Sequence, residues 1–201
     1  MKSDGGDASA VDGPGRIGDV GIFDRVARLY DLKPSTRRRK IEPALDLAER
    51  EIARVLDVGG GTGQGVRALD VPTGVVVDAA PGMLARARDR GVDGIRGDAA
   101  RLPVADDAVD AVLILDALHH MARPAAVLEE AARVLRPGGV LVCLEFDPTT
   151  VRGRALVAAE HLFGFDSRFF APGDLAAMVR AAGLSASIPR GGFEYTVAGV
   201  A

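Results

Sequence analysis

The chain has 201 residues, of which 48% are hydrophobic and 26% charged, so it can bury a core without disulfide or metal staples. Its net charge of −3 at pH 7 argues against a protein that binds nucleic acid mainly through charge. The single cysteine, Cys143, excludes an intrachain disulfide and a multi-cysteine zinc site, and it suits a cytoplasmic protein. We also expect no transmembrane segment and no secretory signal, because no apolar run approaches ~20 residues.

The chain divides into a short N-terminal tail and one domain. Residues 1–19 are rich in glycine, aspartate and serine, and we expect them to form a disordered tail. Residues 20–201 are expected to form one domain. Apolar residues recur at helical spacing from Val20 to Tyr30, and a second helix is predicted over residues 34–50.

Strand-like and helical stretches then alternate along the chain. Strands are predicted over residues 53–58, 74–78, 92–96, 110–115 and 140–146. Helices are predicted after the first strand, from Pro81 to just before Gly91, and over residues 124–135, where Pro137-Gly138-Gly139 should end the last one. This alternation is typical of an α/β protein with a Rossmann-like, doubly wound, mostly parallel sheet.

The last quarter of the chain follows a different pattern. Helices are predicted over residues 152–163 and 172–182, and strands over 184–188 and 194–200. The turn signal at residues 189–192 makes the last strand antiparallel. Four of the seven phenylalanines lie in residues 161–170, so residues 151–172 form either a cap over an apolar substrate or a segment anchored to the core.

A glycine-rich loop directly follows the first strand. Its frame is D-x-G-x-G-x-G, formed by Asp57, Gly59, Gly61 and Gly63. Glycine is needed where the backbone turns sharply or must approach a ligand. Since an acid at the loop entrance favours an ammonium group over a pyrophosphate, the frame points to a ligand with an amino-acid end.

Two further acids follow the next two strands. Asp78 lies 19 residues after Gly59, at a position where an acid commonly accepts hydrogen bonds from ribose hydroxyls. Asp98 follows the third strand, where its carboxylate could accept from an adenine amine while the Ala99 N–H donates to a ring nitrogen. All three acids should meet at the carboxyl edge of the sheet, where such folds bind ligands.

Together these segments resemble the class I S-adenosylmethionine-dependent methyltransferases. The resemblance is carried by VLDVGGGTGQG, VVVDAAPGML, GDAARLPVADDAVDAVLI, LDALHHM and VLRPGGVLVCLEFDP, in that order along residues 55–148. It implies S-adenosyl-L-methionine as cofactor and a seven-stranded sheet with an antiparallel last strand. The nearest likeness is to the C-methyltransferases of ubiquinone and menaquinone biosynthesis, carried also by FFAPGDLAAMVRAAGL at residues 169–184.

The resemblance also assigns roles to individual residues. Cofactor binding is expected at Tyr30, Asp57, Gly59, Gly60, Gly61, Gly63, Asp78, Ala79, Met83, Asp98, Ala99 and Leu115. Methyl transfer from a sulfonium needs mainly positioning, and the spacing of the chain indicates neither a metal site nor a covalent nucleophile. Candidates for the acceptor side are His119, His120, Glu145 and Phe169, and no general base is assigned.

The resulting hypothesis is a methyltransferase acting on a small, apolar or aromatic acceptor, with a quinol as one candidate. A binding protein that holds the cofactor without turnover is an alternative. A nicotinamide-dependent reductase fits less well, because the frame G-x-G-x-x-G beginning at Gly59 has Gln64 in its sixth position. Neither Tyr30 nor Tyr195 begins a Y-x-x-x-K motif. A peripheral membrane contact and a homodimer remain open.

Overall fold

The structure, a computed structural model, describes residues 37–163, 165 and 167–201. The predicted tail over residues 1–19, the predicted helix beginning at Val20, and Tyr30 lie outside the described residues.

Seven strands form one sheet in the order β3-β2-β1-β4-β5-β7-β6. The strands are β1 (Arg54–Val58), β2 (Thr73–Asp78), β3 (Asp93–Arg96), β4 (Val109–Leu115), β5 (Leu135–Phe146), β6 (Ser185–Arg190) and β7 (Glu194–Val200). β7 runs antiparallel to both of its neighbours, and the pairs from β3 to β5 are parallel. The predicted α/β sheet with an antiparallel last strand is therefore confirmed.

Helices cover the sheet on both sides. They are α1 (Arg37–Leu45), α2 (Gln64–Arg67), α3 (Pro81–Asp89), a 3₁₀ turn (Leu118–His120), α4 (Pro124–Val134), α5 (Val151–Leu162) and α6 (Pro172–Ala181). Three of the helices, α3, α4 and α6, begin with proline, which has no N–H to leave unpaired and whose fixed φ already suits a helix.

Alternate residues of the central strands enter two separate cores. Leu56 and Val112 pack with Leu128 of α4 on one face. Val55 and Leu113 pack with Ile41 of α1 on the other face. Every residue of β4 is buried, and all except Asp110 are apolar, as expected for a parallel strand covered on both sides.

α1 is shorter than the sequence pattern predicted, since it ends at Leu45 and not at residue 50. After that point the chain turns to contact the beginning of β5. The Glu49 N–H donates to the Gly138 carbonyl at 2.9 Å, and Arg50 donates to the Pro137 carbonyl at 3.1 Å. These tertiary hydrogen bonds take the place of further helical ones.

The predicted break at Pro137-Gly138-Gly139 is also wrong, because these residues lie inside β5. α4 ends at Val134, and the strand begins immediately at Leu135. Leu135 pairs with Val109 and Val140 pairs with Ala111, so the register shifts and the extra residues bulge from the ladder. Gly138 permits this with a φ of +75°, and its N–H donates to the Ala201 carbonyl at 2.9 Å.

β6 extends beyond its predicted end at residue 188 to Arg190 and includes Pro189. Proline is tolerated here because β6 lies at the edge of the sheet, where one missing N–H breaks no second ladder. The register shift between Ser187 and Arg190 accommodates it. The turn before β7 therefore comprises residues 191–193 and is shorter than the predicted turn over residues 189–192.

Candidate functional site

The carboxyl ends of three adjacent parallel strands bring the predicted acids to one edge of the sheet. β1 ends at Val58, β2 ends at Asp78 and β3 ends at Arg96. Since β1, β2 and β3 are neighbours, Asp57, Asp78 and Asp98 come from consecutive strands on the same side. This is the edge at which open α/β sheets bind ligands.

The loop after β1 has a backbone that requires glycine. Gly59, Gly61 and Gly63 have φ of +67°, +56° and +78°, a region that other residues rarely adopt. A Cβ on Gly59 would also stand 2.8 Å from Cε of Met121 and 3.1 Å from Cβ of Ala117. The three glycines of the predicted D-x-G-x-G-x-G frame are thus the residues with left-handed φ, and the loop backbone at these positions is not covered by side chains.

Asp57 lies beneath this loop. Its side chain is 1% exposed, and a Cβ on Gly60 or Gly65 would approach its carboxyl group to 2.5 Å or 2.3 Å. Neither carboxylate oxygen has a hydrogen-bond partner in the described part of the chain. Burial raises the pKa of Asp57 to about 6, while the charge of Arg37 and the nearby Val66 amide act to lower it.

Asp78 ties the loop to the second strand. Its Oδ2 accepts from the Gly61 N–H at 2.9 Å, and its Oδ1 accepts from the Ala80 N–H at 2.8 Å. These two bonds hold the Asp78 carboxylate beside the glycine loop. Met83 of α3 is buried beside the same loop, with Sδ 3.6 Å from where a Cβ on Gly61 would lie.

Asp98 sits farther out at the same edge. Its Oδ1 accepts from the Ala100 N–H at 2.9 Å, and its Oδ2 forms an ion pair with Arg123 at 2.6 Å. Both side chains of this pair are substantially exposed. Arg123 carries no motif that would have identified it as the partner of Asp98.

A buried histidine–carboxylate pair follows β4. His119 in the 3₁₀ turn is 1% exposed, and its Nδ1 donates to Oε2 of Glu145, at the end of β5, at 2.6 Å. Glu145 Oε1 accepts from the Leu118 N–H at 2.9 Å. Although burial acts to lower the pKa of His119, the charge and hydrogen bond of Glu145 raise it overall.

The segment that follows α5 packs against the same turn. The Phe169 ring stacks on the His119 ring with 4.4 Å between centroids, and the Arg168 N–H donates to the His119 carbonyl at 2.7 Å. Ser167 Oγ lies 3.1 Å from Nδ1 of His120. Glu160 of α5 places Oε1 4.0 Å from Nε2 of His119. The candidate acceptor residues therefore form one cluster.

The phenylalanines of this segment differ in burial and in their contacts. Phe170 is buried in the core, and its carbonyl accepts from the Tyr195 hydroxyl at 2.7 Å. Phe163 is 77% exposed, and Phe165 and Phe169 contact the two histidine rings. Phe170 therefore anchors this segment to the core, and a cap over a bound substrate stays a prediction.

Sequence reasoning missed several residues at this edge. Arg37 was assigned no role from the sequence, but its Nη1 donates to the Leu115 carbonyl at 3.2 Å. Glu160 carries no motif, Met121 was assigned no role although it ends the segment LDALHHM, and only the fold brings them to the histidines and to Gly59. Cys143 is a core residue, because it is fully buried and burial raises the pKa of its thiol far above the usual range.

Comparison with known proteins gives consistent likenesses. Residues 56–143 match the family described as "Methyltransferase domain". A demethylmenaquinone methyltransferase of Mycobacterium sp. (strain KMS) is 40% identical over 151 residues, which cover 70% of this chain and 65% of that protein. The chain thus spans slightly less than two thirds of this curated relative.

Solved structures share the fold. A SAM-dependent methyltransferase from Thermotoga maritima has a TM-score of 0.73 and 25% identity, covering 90% of this chain and 98% of that one. The 4+2 cyclase SpnF has a TM-score of 0.58 and 27% identity, covering 87% of this chain and 62% of that one. Separately, no helix in residues 37–163 or 167–201 is long and apolar enough to cross a membrane.

Proposed function

We propose that this chain is a class I S-adenosylmethionine-dependent methyltransferase and that it transfers a methyl group from S-adenosylmethionine to a small quinol-like acceptor. The observation that carries the proposal is the bare glycine loop between the buried acid Asp57 and the strand-end acid Asp78. The curated relative's name supports the acceptor class.

The residues present fit this cofactor. Asp57 is a buried carboxylate with both oxygens unpartnered in the described residues, and a ligand ammonium group would offset its charge. The left-handed glycines expose backbone without any Cβ, which permits close approach of a ligand. Asp78 stands at the end of β2 beside this loop, where an acid commonly accepts hydrogen bonds from ribose hydroxyls.

When bound, S-adenosylmethionine supplies a methyl group attached to a positively charged sulfur. We infer that Met83 flanks the adenine, and that Asp98 and the Ala99 N–H form hydrogen bonds with the edge of the adenine ring. We also assign Leu115 to the apolar lining of the cofactor site. The remaining contacts are assigned to Gly59, Gly60, Gly61, Gly63, Ala79 and, outside the described residues, Tyr30. The protein's task is to orient the acceptor and exclude water.

On the acceptor side we assign contact to His120 and Phe169, and we treat residues 151–172 as a cap. His119 is fully buried, and both oxygens of Glu145 are already bonded to Leu118 and His119. Glu145 therefore acts as a positioning residue, holding the turn that presents His120. A cytoplasmic location, a peripheral membrane contact and a homodimer belong to the same proposal.

Cofactor binding is tested by calorimetric titration with S-adenosylhomocysteine and, as a control, NADH. We expect micromolar binding of the former and none of the latter. Asp78→Ala should weaken binding by roughly 10- to 100-fold through the loss of charge-assisted hydrogen bonds, which contribute about 1.5–3 kcal/mol. Asp93→Ala, at the exposed start of β3 on the opposite edge, should leave affinity unchanged. Binding of NADH alone would overturn the proposal.

Turnover separates the enzyme from a protein that only holds the cofactor. The assay follows S-adenosylhomocysteine formation with demethylmenaquinol, a catechol and a small amine as acceptors. Formation with the quinol supports the proposal. Binding without turnover on any acceptor would favour the non-catalytic alternative.

A further inference from the structure

Two histidines and a glutamate converge between the 3₁₀ turn and α5. One ligand atom each of His119, His120 and Glu160 can be chosen so that all three lie within 4.8 Å of one another. His119 and His120 are adjacent in the turn, and Glu160 comes from the last part of the helix 40 residues later. No local spacing motif reveals such a group, because its members belong to two elements.

We propose that His119, His120 and Glu160 form a binding site for one divalent transition-metal ion of the Zn²⁺ class. The ion would be bound by two imidazole nitrogens and one carboxylate oxygen. This ligand set suits zinc better than magnesium or calcium, which prefer oxygen ligands throughout. Three protein ligands leave a fourth position for water or another ligand.

Two buried atoms in the cluster lack partners. Nε2 of His119 and Oε2 of Glu160 have no hydrogen bond within the described residues, although both are shielded from solvent. Leaving buried polar atoms unpaired is costly, so such atoms call for a missing partner. A cation between the two side chains would satisfy both.

For the pair formed by His119 and Glu160, the distance allows this with little movement. Nε2 of His119 and Oε1 of Glu160 are 4.0 Å apart, too far for a hydrogen bond. Zinc binds nitrogen and oxygen at about 2.0–2.2 Å, so neighbouring ligand atoms in a tetrahedral site are about 3.4 Å apart. A contraction of roughly 0.6 Å would bring these two atoms to that separation.

The surroundings of His119 match those of a metal-binding histidine. Its Nδ1 donates to Glu145 at 2.6 Å, which fixes the ring, and its Nε2 lies 4.0 Å from Oε1 of Glu160. Metal-bound histidines commonly make this second bond to a carboxylate, which also makes them better ligands. Glu145 is itself held by the Leu118 N–H, so the support is continuous.

The charges near His119 also favour a divalent cation. Asp116, Glu145 and Glu160 all act on its ring, and they come from the loop after β4, from β5 and from α5. The positive charge of a protonated His119 would only partly balance these three carboxylates, whereas a doubly charged ion would balance more of their charge. Bound there, the ion would join α5 to the turn that follows β4.

The test uses the full chain, freed of metal by a chelator, dialysed and titrated with ZnCl₂ by calorimetry. We expect one Zn²⁺ per chain and a rise in melting temperature. His120→Ala and Glu160→Gln should each lower the affinity at least 10-fold, and Glu145→Gln should lower it about 10- to 100-fold. His161→Gln is the matched control, since His161 lies beside Glu160 but outside the cluster, and it should bind like the parent.

Co²⁺ gives a second readout that needs no variant. The metal-free parent should develop the visible absorption of four- or five-coordinate Co²⁺, and Zn²⁺ should abolish it by competition. Absence of saturable Zn²⁺ binding to the parent, or equal binding by the parent, His120→Ala and Glu160→Gln, would overturn the proposal. Titration with S-adenosylhomocysteine is a separate measurement, so failure of the metal site and failure of the proposed function are distinguishable.

Discussion

Gly65 has no Cβ, and this allows its backbone to pack closely against the side chain of Asp57. Gly65 lies in the short helix α2, where alanine would ordinarily be preferred. Its Cβ, however, would stand 2.3 Å from Oδ2 of Asp57 and 3.0 Å from Cδ1 of Leu115. The buried carboxylate has little room to withdraw, so steric conflict outweighs helix propensity.

We therefore expect Gly65→Ala to lower the free energy of unfolding by about 1–3 kcal/mol, the usual effect of overpacking. Urea denaturation measures this. Gly173→Ala is the matched control, because it lies in the first turn of α6 with nothing within 4 Å of the added Cβ. That variant should be neutral or more stable by up to about 1 kcal/mol. Equal effects of both substitutions would refute the steric explanation.

The buried carboxyl of Asp57 makes stability depend on pH. Burial raises its pKa from 3.8 to about 6, although the charge of Arg37 acts to lower it. The charge of Asp78 also raises the pKa, but by less than burial does. The folded state therefore holds a proton that the unfolded chain releases between these values. Stability from this group falls as pH rises through that window, because the folded state must then bury a charge.

Asp57→Asn removes this dependence while keeping the shape of the side chain. We expect the variant to gain stability relative to the parent as pH increases from about 4 to about 7, by at most about 3 kcal/mol, since each pKa unit is about 1.4 kcal/mol. Denaturation midpoints across that range measure the difference. Parallel stability curves for parent and variant would contradict the raised pKa.

At the scale of elements, α5 depends on a side-chain cap at its first turn. Thr150 Oγ1 accepts from the Gly153 N–H at 3.0 Å and donates to the Asp147 carbonyl at 2.9 Å. These bonds fix where the helix begins. Because α5 carries Glu160, the cap also helps to place that side chain near the histidines.

Thr150→Ala should lower the free energy of unfolding by about 1 kcal/mol, the usual effect of losing an N-cap. Thr150→Ser keeps the hydroxyl and should stay within a few tenths of a kcal/mol of the parent. Thermal denaturation followed by circular dichroism measures both. If the serine variant loses as much as the alanine variant, packing of the threonine methyl and not capping would be the cause.

The comparison of sequence with structure separates local signals from tertiary ones. The strand ends at Val58 and Asp78 were predictable because apolar runs stop there, and the left-handed glycines followed from the alternating frame. The continuation of β5 through Pro137-Gly138-Gly139 was not, since turn residues there are overridden by pairing with Val109 and by the Ala201 contact.

The same limit applies to the candidate site. Asp57 and Asp78 sit at strand ends and could be found from the sequence alone. Arg37 reaches the Leu115 carbonyl 78 residues away, and Glu160 meets His119 only because α5 packs over the turn. Such partners depend on how elements pack, which no local pattern records.

At the scale of the whole molecule, the two edges of the sheet have different roles. The carboxyl edge carries the glycine loop and the candidate ligand residues. At the opposite edge, Asp110 of β4 is buried and accepts from the Ala53 and Arg54 N–H groups at 3.1 and 2.9 Å. Arg50 and Arg136 contact its other oxygen at 3.0 and 3.2 Å, so one carboxylate holds the beginnings of three central strands together.

Asp110 also has the opposite pH behaviour to Asp57. Burial acts to raise the pKa of Asp110, but the hydrogen bonds from Arg54 and Ala53 and the charges of Arg136 and Arg50 lower it below 3.8. Its contribution to stability is therefore present above the unfolded pKa and is lost as pH falls through the folded one.

The separation of roles predicts that stability and ligand affinity can be changed independently. Asp110→Asn should lower the free energy of unfolding at neutral pH by about 2–4 kcal/mol, because two guanidinium groups lose their buried partner. Its affinity for S-adenosylhomocysteine should match the parent's, since the change lies at the far edge. Asp78→Ala should show the reverse, with weaker binding and a smaller loss of stability. Calorimetric titration measures the affinity of both variants, and urea denaturation measures their free energies of unfolding. A loss of affinity in folded Asp110→Asn would contradict the separation, because it would mean that the amino edge controls the geometry of the glycine loop through the central strands.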